Sequence, residues 1–505
     1  MLSKSKYCRF VECPRKLWLT VNRPELALED SSALGRMSKG NDIGDMAMGY
    51  FGDFTEVTVT REDGSPDLSA MISKTNELIA QGCEIICEAS FSYKGDYCAV
   101  DILRREGDGY AIYEVKSSTK EKEIYLVDVA YQRYILEHCG INVTGCYLMV
   151  IDNSYVFDGR LDLRGLFKVI DVSEDILPFY ANVEGDLAAA HSLLDDPVEP
   201  IYGVGKHCLG DNCCFSQHCL AHLPRPSVFD LHGITASRKL ELYEQGIVRL
   251  EDVATVIDRE ARTKKRGVIN LRKALMQIDH ELNDRGTYFD IKGIKKFLDT
   301  LFFPLYFLDF EAMQLAVPKF IGTRPYEEIP FQYSLHRIEE EGGEITHTEF
   351  LAEPNTDPRR AIAQRLCEDI PTNACVIVYS KGFENSRLRY LADMFPDLSE
   401  HLLAIVENVR DIRRPFDARL CYNRAMHGLT SVKIVLPALF PDDPSLDYHG
   451  LDGIHNGTDA MSAYPTMLDL PPEEQTALRE ALLRYCELDT LATVKLWQVL
   501  RGAVE

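Results

Sequence analysis

Cys98-Ala99-Val100-Asp101-Ile102-Leu103-Arg104-Arg105-Glu106-Gly107-Asp108-Gly109-Tyr110-Ala111-Ile112-Tyr113-Glu114-Val115-Lys116-Ser117 reads as two alternating strands about a turn at Glu106 to Gly109. With Gly107-Asp108 as a two-residue loop, Asp101 falls directly opposite Glu114. A one-step shift to an Asp108-Gly109 loop still leaves Asp101, Glu114 and Lys116 on one face. Like charges facing each other across a sheet are destabilising, so a purely structural hairpin should avoid this pair. A divalent cation between the carboxylates removes the conflict. Hard ions such as Mg2+ or Mn2+ take carboxylate oxygens, and they can activate water and stabilise charge on phosphoryl oxygens. Lys116 would hold the water or the phosphate. The plain alternative is an exposed charged hairpin.

The chain around this hairpin has 505 residues, 46% of them hydrophobic, which is too long for one ordinary core and rich enough to fill two or three. No run of about 18 apolar residues occurs, and Met1-Leu2-Ser3-Lys4-Ser5-Lys6 lacks the pattern of a signal peptide, so the expectation is a cytoplasmic protein without membrane partners. A net charge of -24 argues against nonspecific coating of duplex DNA, which depends on many Lys and Arg displacing counterions. Local clefts can still be basic, with Lys264-Lys265-Arg266 and Arg410, Arg413 and Arg414 as candidates. Residues 1–223 mix helical and strand patterns and close at Leu223-Pro224-Arg225-Pro226. Residues 224–300 read as a helical connector, and residues 301–505 as a second mixed domain that opens on a strand at Leu305 and ends in a long helix near 473–500. The fold class expected is therefore α/β, in two mixed domains.

Beyond the hairpin, Tyr7-Cys8-Arg9-Phe10-Val11-Glu12-Cys13-Pro14-Arg15-Lys16-Leu17-Trp18, Gly40 and Gly44, Glu88-Ala89-Ser90-Phe91 and Ala130-Tyr131-Gln132 carry a resemblance. Together with Asp101, Glu114 and Lys116 they resemble the RecB-like nucleases of the PD-(D/E)xK superfamily, in particular their iron-sulfur branch. The resemblance implies a restriction-endonuclease-like N-terminal domain. It assigns Asp101 and Glu114 as metal ligands, Lys116 as the catalytic lysine, Glu88 as an assisting acid and Gln132 as the start of the helical motif. The family helix often reads Gln-x-x-x-Tyr, whereas this chain has Leu136, with tyrosines at 131 and 134.

Fifteen cysteines in a long chain of this kind point to metal ligands scattered among buried thiols rather than to a disulfide framework. Cys208, Cys213, Cys214 and Cys219 crowd into one hydrophilic, glycine-containing segment, a density better explained by metal than by burial. Zn2+ and a 4Fe-4S cluster each take four thiolates. The iron-sulfur nucleases carry one cysteine before a proline near the N-terminus and three after the nuclease core. That resemblance implies a 4Fe-4S cluster on Cys13, Cys208, Cys213 and Cys219, with Cys8 and Cys214 as spares and Zn2+ as the alternative. The thirteen histidines show no zinc-type spacing.

In the second domain, Phe307-Leu308-Asp309-Phe310-Glu311 sets two carboxylates on one face of a strand. Tyr485-Cys486-Glu487-Leu488-Asp489 places Tyr485 and Asp489 on one face of a helix. The pair resembles the DEDD exonucleases of the ribonuclease H-like superfamily, whose four acids hold two metals. By that resemblance Asp309, Glu311, Glu384 and Asp489 would be metal ligands and Tyr485 a catalytic tyrosine, with Asp411 as another candidate acid. Residues from about Tyr306 to Leu500 also look like an uncharacterised bacterial domain found behind RecB-like nucleases.

In the connector, the segments Asp230-Leu231-His232-Gly233-Ile234 and Tyr243-Glu244-Gln245-Gly246-Ile247 have the spacing of helix-hairpin-helix modules, whose loop amides can bind phosphates. That signal is weak, and a plain helical spacer is the favoured reading. The functional expectation is a metal-dependent exodeoxyribonuclease acting in DNA repair or defence, with DNA favoured over RNA and any helicase or other protein partner left open. Two alternatives stay beside it, a ribonuclease working through the second domain and a non-catalytic nucleic-acid-binding scaffold.

Overall fold

The computed structural model describes residues 1–28, 33–209, 213–263, 267–451 and 453–505, with residues 33–39 and 449 described by their backbone alone. The basic run at 264–266 lies outside the described residues. The chain divides into two compact units, Met1–Ala221 with Leu315–Tyr326, and His222–Gln314 with Glu327–Glu505. Among the described residues no helix is long and apolar enough to cross a membrane.

The first unit is built on a six-stranded sheet in sequential order, β1 (Thr55–Glu56), β2 (Ile85–Tyr93), β3 (Asp96–Glu106), β4 (Gly109–Lys116), β5 (Val143–Ile151) and β6 (Phe167–Asp171). The β2–β3–β4 meander is antiparallel, and β4 and β5 are parallel. A parallel neighbour needs a crossover, and the helix Glu123–His138 supplies it. The turn residues fix the hairpin register: Glu106 faces Gly109, Gly107 takes φ 61°, and the ladder runs to Ile102 opposite Tyr113. Asp101 and Glu114 come next, just past the last paired residues. On β4, Tyr110 and Ile112 join the core that includes Ala130, Tyr131 and Ile135 of the crossover helix. Alternation therefore turns Glu114 toward the same helix.

Strand β2 breaks its alternation. Ile86 lies on the crossover-helix side, but so do Ala89 and Phe91. The change of parity falls at Glu88, whose backbone is left-handed at φ 56°. A left-handed residue other than glycine is uncommon and costs on the order of 1–3 kcal/mol, a strain that collects at functional sites. Strand β3 changes face at the matching place, between Val100 and Leu103, so both strands kink beside Asp101.

The second unit holds a five-stranded sheet in the order β10 (Thr346–Leu351), β9 (Glu328–Ile338), β8 (Leu305–Gln314), β11 (Cys375–Val378), β12 (Val409–Asp411). Strand β9 is antiparallel to both neighbours, while β8, β11 and β12 are parallel. A two-stranded ribbon pairs β7 (Tyr288–Phe289) with β13 (Cys421–Tyr422). One face of β8, carrying Tyr306, Leu308 and Phe310, enters a core with Ile362, Leu388 and Val406. Asp309 and Glu311 alternate to the other face. The last helix, Pro472–Gly502, extends the 473–500 expectation by a residue or two at each end.

Residues 224–300 belong to this second unit, where the helices Ala236–Glu244, Leu250–Thr263 and Val268–Asn283 close a small core of their own. The helix-hairpin-helix alternative at Gly246 is disfavoured. The amides of Gln245, Gly246 and Ile247 already donate to Glu241, Tyr243 and Leu242, ending the preceding helix instead of facing outward.

Candidate functional site

In the first unit the N-terminus is the least expected contributor. Leu2 accepts from the Tyr97 amide at 2.9 Å and its own amide donates to Asp96 Oδ1 at 3.1 Å, so the chain starts beside β3. Tyr131 fastens it by donating to the carbonyls of Leu2 and Tyr97 at 3.2 and 3.0 Å. The tyrosine that departs from the family helix pattern thus holds the N-terminus. The helix Lys4–Glu12 then opens with Lys4 over the hairpin. Its Nζ lies 3.4 Å from Asp101 Oδ1 and 3.0 and 3.1 Å from the two Glu114 oxygens. An ammonium here occupies the place between the carboxylates that the hairpin argument reserves for a cation.

Lys116 Nζ donates to Glu114 Oε1 at 2.5 Å and to Asp128 Oδ2 at 2.8 Å. Gln132 Nε2 donates to Glu114 Oε2 at 2.8 Å and Asp128 Oδ1 at 3.0 Å, and its Oε1 is buried with no partner among the described residues. Asp128 and Lys4 are the two members that sequence reasoning missed. Asp128 had a signal, because it stands four residues before Gln132 on one helix face; Lys4 had none. Asp101 Oδ2 accepts the Val115 amide at 2.7 Å, which places a side chain where a ladder carbonyl would otherwise sit.

Burial pushes Asp101 up to about 6, with Glu114 adding to the rise. Glu114 goes the other way: burial would raise it, but Lys116 and Lys4 hold it well below the usual carboxylate range. Glu88, pushed up to about 7 by burial and then by Asp101, faces the same cleft. That cleft of about 570 Å3 is lined by Lys4, Glu88, Asp101, Glu114 and Lys116, and on another side by Gly40 and Gly44. A Cβ on either glycine would meet nothing within 4 Å, so the cleft is open at these two positions of a helix that also brings Asn41, Asp45 and Met48 to it. Its all-oxygen donors suit Mg2+ or Mn2+ rather than a soft metal.

Cys13, Cys208, Cys213 and Cys219 lie within electrostatic reach of one another. Cys219 is pushed up to about 11 by burial, opposed by Arg15 and reinforced by Cys213, Cys208 and Cys13. Cys208 is raised by burial and then by Cys13 and Cys213. Cys214 interacts with Cys213 of this set, and Cys8 lies by Asp128, Lys116 and Glu114 instead. Glu199 braces the group, accepting from Arg15 at 2.8 Å and pairing with His218 at 2.9 Å.

The second unit carries its own acids. Asp309, Glu311 and Asp489 each offer an oxygen within 4.8 Å of the others. Burial and then Asp489 push Glu311 up to about 8. Asp309 is raised by burial and by Asp489, Glu311 and Glu384, so Glu384 is within electrostatic reach of the group without joining its 4.8 Å cluster. Glu384, on the helix Lys381–Met394 after β11, is pushed up to about 8 by burial, and its Oε2 is buried with no partner among the described residues. The rival acid Asp411 spends both oxygens on the amides of Lys381 and Arg413. Glu384 thus keeps an orphaned buried oxygen where Asp411 is satisfied.

Tyr485 and Tyr448 both hydrogen-bond Asp489, Tyr448 at 2.6 Å. Lys433 Nζ lies 4.8 Å from the Tyr485 ring centre and donates to the His455 carbonyl at 2.8 Å, close enough to act on Asp489 and Glu311. Sequence reasoning missed Lys433 and Tyr448. The basic candidates Arg410 and Arg413 are occupied elsewhere, on carbonyls including Thr300 and on Asp417.

Residues 306–431 match the family described as Domain of unknown function (DUF2779). The match takes in Asp309, Glu311 and Glu384 and stops short of Lys433 and Asp489. No curated protein matches the chain.

Proposed function

We propose that the chain is a metal-dependent nuclease that hydrolyses DNA phosphodiester bonds, with its first site at Asp101, Glu114 and Lys116. The observation that carries this reading is the closure of these three residues on one cleft, with Gln132 and Asp128 behind them and Gly40 and Gly44 beside them. The succession of β2, β3 and β4, a crossover helix and parallel β5 supports a restriction-endonuclease-like fold for this unit. Asp101 and Glu114 would hold Mg2+ or Mn2+, which supplies Lewis-acid charge at the phosphoryl oxygens. Lys116, kept protonated by Glu114 and Asp128, presents a fixed cation to the scissile phosphate. Gln132 orients Glu114 through its amide, and Glu88 is poised to exchange a proton near neutral pH. Cys13, Cys208, Cys213 and Cys219 would hold a 4Fe-4S cluster that ties the N-terminal helices to the end of the unit.

A second reading, a ribonuclease working through the C-terminal unit, is favoured by the convergence of Asp309, Glu311 and Asp489 within 4.8 Å. The order β10-β9-β8-β11-β12 with β9 reversed supports a ribonuclease H-like fold there. Asp309, Glu311, Glu384 and Asp489 would hold the metals, and Tyr485 would orient Asp489.

Labelled single- and double-stranded DNA and RNA, incubated with Mg2+ or Mn2+, test both readings. DNA decay that stops on chelation is expected. Absence of decay of any substrate with either metal sinks the enzyme proposal, and RNA decay abolished by Asp309→Ala alone transfers it to the second unit. Anaerobic purification followed by a visible spectrum and iron analysis is expected to find iron that Cys208→Ser loses. A colourless chain whose zinc disappears with Cys208→Ser overturns the cluster.

A further inference from the structure

His336 on β9 and His347 on β10 are direct cross-strand partners, with ring centres 4.6 Å apart. Eleven positions of sequence and a hairpin separate them, which is why no zinc-type spacing is visible in the sequence. Glu487 of the helix Pro472–Gly502 joins them: each of the three offers one ligand atom, and these atoms all lie within 4.8 Å of one another. His347 Nδ1 is 3.8 Å from Glu487 Oε1.

A one-way run of hydroxyl hydrogen bonds decides which ring nitrogens carry protons. Thr490 Oγ1 donates to the Glu487 carbonyl at 3.0 Å, so it accepts from His336 Nδ1 at 2.8 Å and from Ser334 Oγ at 2.7 Å. Ser334, its proton spent on Thr490, accepts from His347 Nε2 at 2.9 Å. Each ring thus donates from one nitrogen, leaving a lone pair on His336 Nε2 and on His347 Nδ1, the latter 3.8 Å from the Glu487 carboxylate. His336 as a residue is only 5% exposed. A lone pair and a carboxylate repel each other until a cation sits between them. Hydrogen bonding of the far nitrogen is also how metal-binding imidazoles are oriented.

We propose that His336, His347 and Glu487 bind a late first-row transition-metal cation, foremost Zn2+, at a site separate from the two acidic constellations. Two imidazole nitrogens and one carboxylate, with a further position open, form a borderline-soft set that prefers Zn2+ or Co2+ to Mg2+. Glu349, two residues beyond His347 on the same face of β10, adds a carboxylate near His347 and Glu487. Because Glu487 lies between Tyr485 and Asp489, the bound ion pins the helix carrying both to the β9–β10 edge. The site stands whether or not the nuclease reading does.

The test uses the full-length protein and its Glu487→Gln, His347→Gln and Thr490→Val variants, equilibrated with Zn2+ and counted by elemental analysis. Cysteines and the other carboxylates are common to all four, so differences report this site alone. The wild type is expected to hold one zinc per chain more than Glu487→Gln or His347→Gln. Thr490→Val keeps the three ligands but frees the far nitrogen of His336, and is expected to bind the ion about 10–100-fold more weakly. Co2+ is expected to give a visible d–d band in the wild type that Glu487→Gln lacks. Glu487 is exposed at its rim, so this variant retains the wild-type circular dichroism. Equal zinc content and affinity in all four proteins overturn the site.

Discussion

Lys116→Ala is expected to slow metal-dependent DNA cleavage by on the order of 10²–10³-fold, the usual result of removing one fixed donor aimed at developing negative charge. The side chain does two things that the substitution removes together. It offers a positive charge to the cleft, and it neutralises Glu114 and Asp128, which flank it at 2.5 and 2.8 Å. Without it Asp128 keeps only Gln132, while Glu114 retains Lys4. Stripping one partner from a buried ion pair costs about 3–5 kcal/mol because a charge is left behind. Some of the lost activity could therefore reflect a weakened fold, and Mn2+ separates the two. A cation between Asp101 and Glu114 restores neutrality to Glu114, so Mn2+ is expected to raise the melting temperature of Lys116→Ala while cleavage stays low. Unchanged cleavage in the variant would remove the first site from the mechanism.

The hairpin register was legible because everything that sets it is local. Turn residues at Gly107 and Asp108 and an alternating pattern on both sides leave little choice once one face is buried. The clash of Asp101 with Glu114 could be foreseen for the same reason, and Glu114 and Gln132 do meet. What resolves the clash in the metal-free chain was not legible. Lys4 reaches Glu114 across 110 positions of sequence, and its place depends on Leu2 docking beside Asp96 and Tyr97. A lysine in Ser3-Lys4-Ser5 carries no mark of that destination. The left-handed Glu88 was equally hidden, since a glutamate gives no sign that it will take a conformation suited to glycine.

The second unit repeats the lesson. Asp309 with Glu311, and Tyr485 with Asp489, follow from strand and helix periods, which need only a few consecutive residues. Lys433 and Tyr448 belong to short helical turns between β13 and the last helix, where no period exists to read. His336 and His347 were missed because cross-strand register, rather than spacing along the chain, brings them together.

Asp309→Asn is expected to abolish whatever cleavage the C-terminal unit performs and, in the same protein, to stabilise the metal-free fold. Asp309 is buried among Asp489, Glu311 and Glu384, so its charge works against theirs in a medium that screens poorly. Glu311 and Glu384 rise from 4.5 to about 8 in the folded state. Between those values the folded chain binds more protons than the unfolded one, so stability is greatest at the acid end and falls as pH rises through the window. Asp309 is itself raised well above the usual carboxylate range, by burial and then by Asp489, Glu311 and Glu384, and an amide at that position takes no part in the loss of stability that its ionisation causes as pH rises. A higher melting temperature than the wild type is expected near pH 8, and a much smaller gain near pH 5. Mn2+ is expected to reverse the order, stabilising the wild type more than the variant, because the acids that repel one another without metal are the ligands that hold it. Thermal melts at the two pH values, with and without Mn2+, check the argument. A variant less stable than the wild type near pH 8 without metal would show that the acids do not repel as their burial requires. Equal Mn2+ stabilisation of both proteins would show that Asp309 is not a ligand. The opposition of stability and function at one residue is what a site built for a cation should display.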